Sequence, residues 1–488
     1  MLVSFFLCAV FSPLTALSLE ELLHGYAEKD IVFKELHVKF MQSVLEEKRV
    51  RTDNGVNVTL STGTINFVAE KDASFFSVTP EVKLAIPSLQ NTVVNASFPF
   101  QANTVNGASS GGSGSSTMSG ASVNVKSDII SSAAAKRAAA IENAARQTVL
   151  ARRACEDRAL EIEKNFWTEL QALYQGASDS AKAQETLIAS QKSFDTVKTQ
   201  GYGASSSKYR LAELTVKSNE RALEEKKRSF AAAFTDFALN CGKDADFFAG
   251  ADIPVLPEDM RRRPLLSVGD FDPALFAPVE QAAWNYAYNE KLRKADIPFS
   301  VGAGASYAYK RTDPPQKGGR SAGGDTENTV GAELSAAWRG ISATAGVSVD
   351  TKKLSSPRLS FSLGWDMRTF KNAGLRKDAK KFGVELDMLA LHSAEENKKK
   401  REQTLTVKAA DLTWQREKTS EELDLYRALY ADMQKGFNDG VVSARDLLEA
   451  KTNFEQVLYK AFSVELDCLI YNIEVKRLFV QTEQLPET

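Results

Sequence analysis

At 488 residues the chain exceeds one ordinary compact core, so two or more domains or an elongated repeat are expected. Lys and Arg number 61 against 63 Asp and Glu, a net of −2, which gives no electrostatic basis for a nucleic-acid partner. With 43% hydrophobic residues and a mean hydropathy of −0.28, this composition does not build bilayer-spanning helices.

Residues 1–18 lack Lys, Arg, Asp and Glu and are apolar from Leu2 to Phe11 except at Ser4. Ala16 and Ser18 place small residues at −3 and −1 of a cut after Ser18, so residues 1–18 read as a secretory signal peptide. Cys8 lies too early for a lipoprotein cleavage site and reads as an apolar signal residue. Beyond it no run of about eighteen apolar residues occurs, which leaves a soluble periplasmic protein or a β-barrel.

A first set of strands is expected at 55–69, 74–86, 91–101 and 119–126, with the Gly-, Ser-, Asn- and Thr-rich stretch 103–120 as a solvated loop. Two proline-free helices follow. Residues 128–175 carry Ile141, Ala145, Ala159, Ile162, Phe166 and Leu173 in one a/d register, and residues 207–240 carry Val216, Leu223, Phe230 and Phe237 at seven-residue steps.

In the second half, residues 299–309 alternate Phe299, Val301, Ala303, Ala305, Tyr307 and Tyr309 with Ser and Gly. The pattern returns at Val330–Trp338, Ile341–Val349 and Leu359–Met367, with a parity break at Arg339-Gly340 and a Pro-, Gly- and Lys-rich loop at 310–328. Strands of about ten residues, apolar on one face, Ser and Gly on the other and aromatic at their ends, suit a transmembrane barrel. A soluble sandwich also alternates, and the signal peptide and the helices favour the barrel. Two long helices close the chain, about 371–435 and 441–480. The second places Leu447, Ala450, Phe454, Val457, Ala461, Val464, Cys468, Tyr471, Val475 and Leu478 at a and d; the first follows the rule except at Arg416 and Thr419.

The halves repeat. Leu19-Glu20 through Tyr26-Ala27 fall on Val279-Glu280 through Tyr286-Ala287, and Ser207, Leu211 and Glu213 fall on Ser443, Leu447 and Glu449, each group just after a glycine, Gly203 or Gly440. The domain reading is therefore a first helix-strand-helix-helix repeat at 19–278 and a second at 279–488. Cys155, Cys241 and Cys468 form no disulfide framework, and His24, His37 and His392 lack metal-ligand spacing. No phosphate loop, nucleophile elbow or His-Glu-x-x-His occurs, so no enzyme activity, catalytic residue, cofactor or metal is expected.

With Gly440-Val-Val-Ser-Ala-Arg-Asp-Leu-Leu-Glu-Ala450, Leu19-Glu-Glu-Leu-Leu23 and Ile297-Pro-Phe-Ser-Val-Gly-Ala303 in this order, the chain resembles the TolC-type outer membrane efflux proteins over the whole mature sequence. The resemblance implies an α+β membrane fold: outer-membrane β-barrel strands continued by a long α-helical coiled-coil tunnel, two repeats per chain, in a homotrimer with four strands per chain in a twelve-stranded barrel. The four alternating stretches of the second half, where that family uses two, depart from it. It also implies an outer-membrane location with a long periplasmic extension, contact with outer-membrane lipid, and a periplasmic adaptor (membrane fusion) protein and inner-membrane transporter as partners. The function implied is the exit channel of a tripartite efflux or type I secretion system; the alternative is a non-transport scaffold or adhesin on the same helical trimer. A periplasmic adaptor is a third reading, disfavoured because adaptors carry one helical hairpin and this chain carries two.

The gate candidates implied are Asp446 and Glu449, six carboxylates in a trimer, whose mutual repulsion raises some of their pKa values. The alternative is that they supply negative charge at a helix N-terminus. Arg210 falls on Asp446 at the 236-residue offset, which suggests that the two pair across the turn. Gly203, Gly440, Ser207 and Ser443 mark the turns.

Overall fold

A computed structural model describes residues 19–69, 73–105, 114–244, 253–258, 260–312 and 325–480. The expected signal peptide, and the middles of the two expected loops at 103–120 and 310–328, lie outside them. The chain divides into two spatial units. The first takes residues up to Lys39, Ala151–Glu280 and Ala394 onward; the second takes Phe40–Leu150 and Gln281–Ser393.

The helices are α1 (Leu19–Lys29), α2 (Ile31–Asp53), α3 (Ala133–Thr199), α4 (Ser207–Asn240), α5 (Ala277–Ala295), α6 (Met367–Asn438) and α7 (Ala444–Leu478). Asp30 separates α1 from α2: its carboxylate accepts from the Phe33 backbone N–H at 2.5 Å, starting a new helix, and from Arg158 of α3, also at 2.5 Å. The expected end of α3 at 175 is wrong, because the helix continues to Thr199. Gly176 does not break it; a Cβ there would stand 3.2 Å from the ring of Phe230, so glycine lets the α4 phenylalanine approach.

In the first unit α7 is buried on two sides. Phe462, Leu466, Leu469, Ile470 and Ile473 pack with Phe166, Trp167, Leu170, Leu173 and Tyr174 of α3, Leu19 and Leu22 of α1, and Phe234 and Phe237 of α4. Cys468, Tyr471 and Val475 pack instead with Leu405 and Leu412 of α6. The second group follows the predicted a/d positions; the first is a further stripe. The exceptions on α6 are also resolved, since Thr419 is buried and its hydroxyl donates to the Gln415 carbonyl, while Arg416 pairs with Glu465 at 2.9 Å. Residues 264–266 lie along α7: Asn472 accepts from the Leu266 N–H and donates to the Pro264 carbonyl, and the Tyr471 hydroxyl donates to the carbonyls of Leu266 and Leu405.

In the second unit the strands are β1 (Asn57–Ser61), β2 (Ile65–Ala69), β3 (Ala73–Val78), β4 (Glu81–Ile86), β5 (Thr92–Ser97), β6 (Phe100–Val105), β7 (Gly114–Met118), β8 (Gly120–Ile130), β9 (Phe299–Thr312), β10 (Asp325–Trp338), β11 (Ile341–Asp350) and β12 (Arg358–Trp365). Eight form one antiparallel sheet, β1-β4-β5-β8-β9-β10-β11-β12, and β2-β3-β6-β7 form another. The strands expected at 55–69, 74–86 and 91–101 are each a long strand broken in two, and the fourth is joined by β7, a strand where the end of the loop at 103–120 was expected. Gly63 (φ +61°), Pro80 and Pro99 mark three of the breaks, and ladder bonding persists across two of them through the Pro80 and Pro99 carbonyls, which accept from the N–H groups of Phe98 and Ser119 at 2.9 Å. The parity break at Arg339-Gly340 is a two-residue hairpin turn with both φ values positive, +46° and +92°.

The register of this sheet sorts its residues by face. Val58, Leu84, Val94, Val125, Ala305, Ala332, Val347 and Leu359 oppose one another in one row across all eight strands. The adjacent row, Thr59, Lys83, Asn95, Asn124, Ser306, Gly331, Ser348 and Arg358, lies on the other face. In these two rows one face is apolar and the other small, polar or charged; nearer the strand ends Thr92, Ser127 and Asn328 join the apolar face and Val93 the polar one. Among the described residues no helix is long and apolar enough to cross a membrane.

Candidate functional site

The gate candidates sit where α3 turns into α4 and α6 into α7, all within the first unit. Both turns begin the same way. After α3 the Gly201 N–H bonds the Lys198 carbonyl at 3.0 Å and the Tyr202 N–H reaches back to Val197; after α6 the Gly440 N–H bonds Phe437 at 3.1 Å and Val441 reaches Gly436 at 2.8 Å. This is the Schellman ending, and it requires a left-handed residue, here Gly201 (φ +76°) and Gly440 (φ +75°). Gly440 therefore holds the position read from the sequence, whereas Gly203 has an ordinary φ and Gly201 takes the role assigned to it.

Both turns end on a serine cap. The Ser443 hydroxyl accepts from the Asp446 N–H at 3.2 Å; in the first turn Ser206, not Ser207, caps α4 by accepting from the Tyr209 N–H at 3.3 Å. Aligning the turns on their caps shifts the repeat by one residue. The counterpart of Asp446 is then Tyr209, and Arg210 falls on Leu447. The structure accordingly does not pair Arg210 with Asp446: the Arg210 Nε donates to the Ala204 carbonyl at 3.2 Å, within its own turn.

The partner of the acidic pair comes from α3. Lys192 Nζ donates to Asp446 Oδ1 at 2.7 Å and also to Glu449 Oε2, and one turn further on Asp195 Oδ2 accepts from Arg445 at 2.5 Å. Lys192 and then Ser443 hold the Asp446 carboxyl below its usual value, and Arg445 does the same to Asp195. The repulsion expected among six carboxylates concerns a trimer; within one chain an ammonium group stands between the two carboxylates and lowers the Asp446 pKa. The two carboxylates likewise raise the Lys192 pKa. Phe194 of α3 packs edge-on against Tyr209, ring centroids 4.9 Å apart, with Lys198 Nζ 4.0 Å over the Phe194 ring. Lys192 and Asp195 were missed because α3 was ended at 175; carrying it to the turn would have brought them level with Arg445, Asp446 and Glu449. Among the described residues no group of three His, Cys, Asp or Glu side chains is placed to hold a metal ion.

Residues 22–258 match the TP096X N-terminal domain and residues 261–482 the TP096X C-terminal domain. The chain belongs to the TP096X family. The junction of its two TP096X domains falls between residues 258 and 261, just before the residues that Asn472 holds along α7. A protein of Treponema pallidum (strain Nichols), described as uncharacterized, is 23% identical over 319 residues, 64% of this chain and 56% of that protein, so the match spans little more than half of that relative's length. Among solved structures, the outer membrane protein VceC of Vibrio cholerae is similar over 94% of this chain and 95% of its own, with 10% identity and a TM-score of 0.45. The CmeC outer membrane channel of Campylobacter jejuni is similar over 96% and 87%, with 11% identity and a TM-score of 0.44.

Proposed function

We propose that this TP096X protein is a passive outer-membrane exit channel, not an enzyme. The observation that carries the reading is the pair of opposed rows across the eight-stranded sheet, one wholly apolar and the next wholly small, polar or charged. A sheet buried against a helical layer needs one apolar face, but here the apolar side chains stay open: Leu334 is 53% exposed, Phe361 75% and Trp365 66%. Such a face needs lipid or protein against it. On β10 it extends from Val330 to Trp338, roughly 27 Å along a strand and about 20 Å along the bilayer normal at a ~40° tilt, close to the ~25 Å band of outer-membrane barrels. The opposite face, with Ser306, Glu333, Lys126 and Arg358, suits a water-filled lumen.

In this reading the protein is a homotrimer exported by its signal peptide, with α3, α4, α6 and α7 forming a periplasmic tunnel. An adaptor and an inner-membrane transporter of a tripartite efflux or type I secretion system deliver its cargo. The turns of the first unit form the aperture. Asp446 and Glu449 of each chain surround it, with Lys192 neutralising part of their charge, so the closed ring is less acidic than the carboxylates alone would make it.

Insertion of the purified oligomer into a planar bilayer tests this directly. Discrete, ohmic conductance steps are expected, and Lys192→Met is expected to shift the reversal potential in a salt gradient toward greater cation selectivity. A scaffold or adhesin would give no steps at any protein concentration, and that result would sink the channel reading.

A further inference from the structure

The eight-stranded sheet has two open edges. Among the described residues β1 pairs only with β4 and β12 only with β11, so each edge presents a row of backbone N–H and C=O groups without a strand partner beside apolar side chains: Leu60 is 74% exposed on one edge and Leu359 82% on the other. In hydrocarbon such groups must be paired. We propose that β12 of one copy pairs with β1 of the next, so that the copies close into one barrel with eight strands from each chain, hence twenty-four in a trimer. This rests on the membrane-channel reading above, and it doubles the strand number that the resemblance to TolC-type proteins implies.

Three features of the sheet fit this closure. The strands run as an antiparallel meander with an even number per chain, so β12 lies antiparallel to β1 and head-to-tail addition of copies preserves the alternation. The apolar row reaches both edges on the same face, ending in Val58 and Leu359, so the next copy continues it. The sheet is also staggered, as a closed barrel requires. Opposed residues followed from Asn57, the first of β1, arrive at Ser360, whereas β12 runs on to Trp365.

With faces matched and the start of β1 brought level with the end of β12, two registers are taken for the joint. Asn57 lies on the polar face, so it opposes Gly364 or Asp366 of the neighbouring copy, and Leu60 then opposes Phe361 or Leu363. All five residues of β1 find a partner on or next to β12 in either register. Closure within one chain needs the same two edges to meet after eight strands; among the described residues they are not paired.

Leu60→Cys combined with Phe361→Cys, and separately with Leu363→Cys, in the full chain folded in its membrane, tests the joint by mild oxidation. Ala336→Cys with Ala343→Cys, opposed within one chain, reports that the sheet has folded. Species of two and three chain masses on a non-reducing denaturing gel are expected from one of the first two variants, and a monomer lacking two hydrogens from the control. A disulfide closed within a single chain in either of the first two variants, or no bond while the control forms, would overturn the proposal. Strand counting by electron cryomicroscopy of the parent oligomer is a second test: twenty-four strands support the closure, twelve or separate eight-stranded barrels refute it. Conductance on the same preparation keeps the two ideas apart. Conductance without interchain bonds leaves the channel reading standing and removes the closure; interchain bonds without conductance do the reverse.

Discussion

Replacing Leu466 with Ala tests the two-sided burial of α7. Leu466 has no exposed surface and sits among the side chains of α1, α3 and α4, on the stripe outside the predicted a/d positions. Deleting three carbons forfeits about 2.4 kcal/mol of transfer free energy at ~0.8 per methylene, and the cavity left in a close-packed site brings the loss to roughly 3–5 kcal/mol. At about 2–4 °C per kcal/mol for a unit of this size, the helical melt followed by far-ultraviolet circular dichroism at fixed scan rate should fall by at least ~6 °C. Val441→Ala, at a position 84% exposed, is the control and should stay within about 0.5 kcal/mol of the parent. If both variants melted together, α7 would have one seam and its two-sided packing would be wrong.

Other perturbations separate the remaining assignments. Gly440→Ala forces a Cβ into a left-handed conformation and should cost about 1 kcal/mol, whereas Gly203→Ala, with an ordinary φ and open space around it, should be neutral in the same melt. Asp30→Asn removes the charge that holds Arg158. The folded Asp30 pKa lies below its usual 3.8, so this stabilisation is present above that value and lost as pH falls through the folded pKa. The melting difference between parent and Asp30→Asn should be clear at about pH 7 and vanish near pH 2; a difference independent of pH would mean that charge is not its source. Cys241 and Cys468 are buried, and burial pushes their thiols up to about 12 and about 11. Both should resist alkylation at about pH 8 until the protein is unfolded, while half-buried Cys155 reacts first, as mass spectrometry of labelled peptides would read.

The second half was legible because each of its strands is unbroken and its alternation runs to the turn. β9, β11 and β12 begin within a residue of the expected positions and α6 and α7 within a few, whereas β10 begins at Asp325, five residues before Val330. The first half was less so for a local reason: Gly63, Pro80 and Pro99 bend its strands, and the period-two pattern restarts at each bend. The missing third of α3 hid Lys192, because glycine and serine after Tyr174 look like a helix end when the neighbour that Gly176 accommodates is unknown. The one-residue error at Arg210 has the same origin. Sequence similarity aligned the turns on Ser207, whereas the cap that starts the helix is Ser206, and only hydrogen bonding distinguishes them. The rows across the sheet depend on register between strands nearly two hundred residues apart, which one strand's pattern does not encode.

The two-faced sheet in a bilayer is the central claim, and nitroxide accessibility along β10 in lipid vesicles tests it most directly. Labels placed one at a time at Val330, Ala332 and Leu334 should be relaxed by oxygen dissolved in lipid, and labels at Gly331, Glu333 and Ser335 by a water-soluble paramagnetic complex, alternating residue by residue. Uniform access of the aqueous reagent to all six positions would place this strand in water and contradict the account.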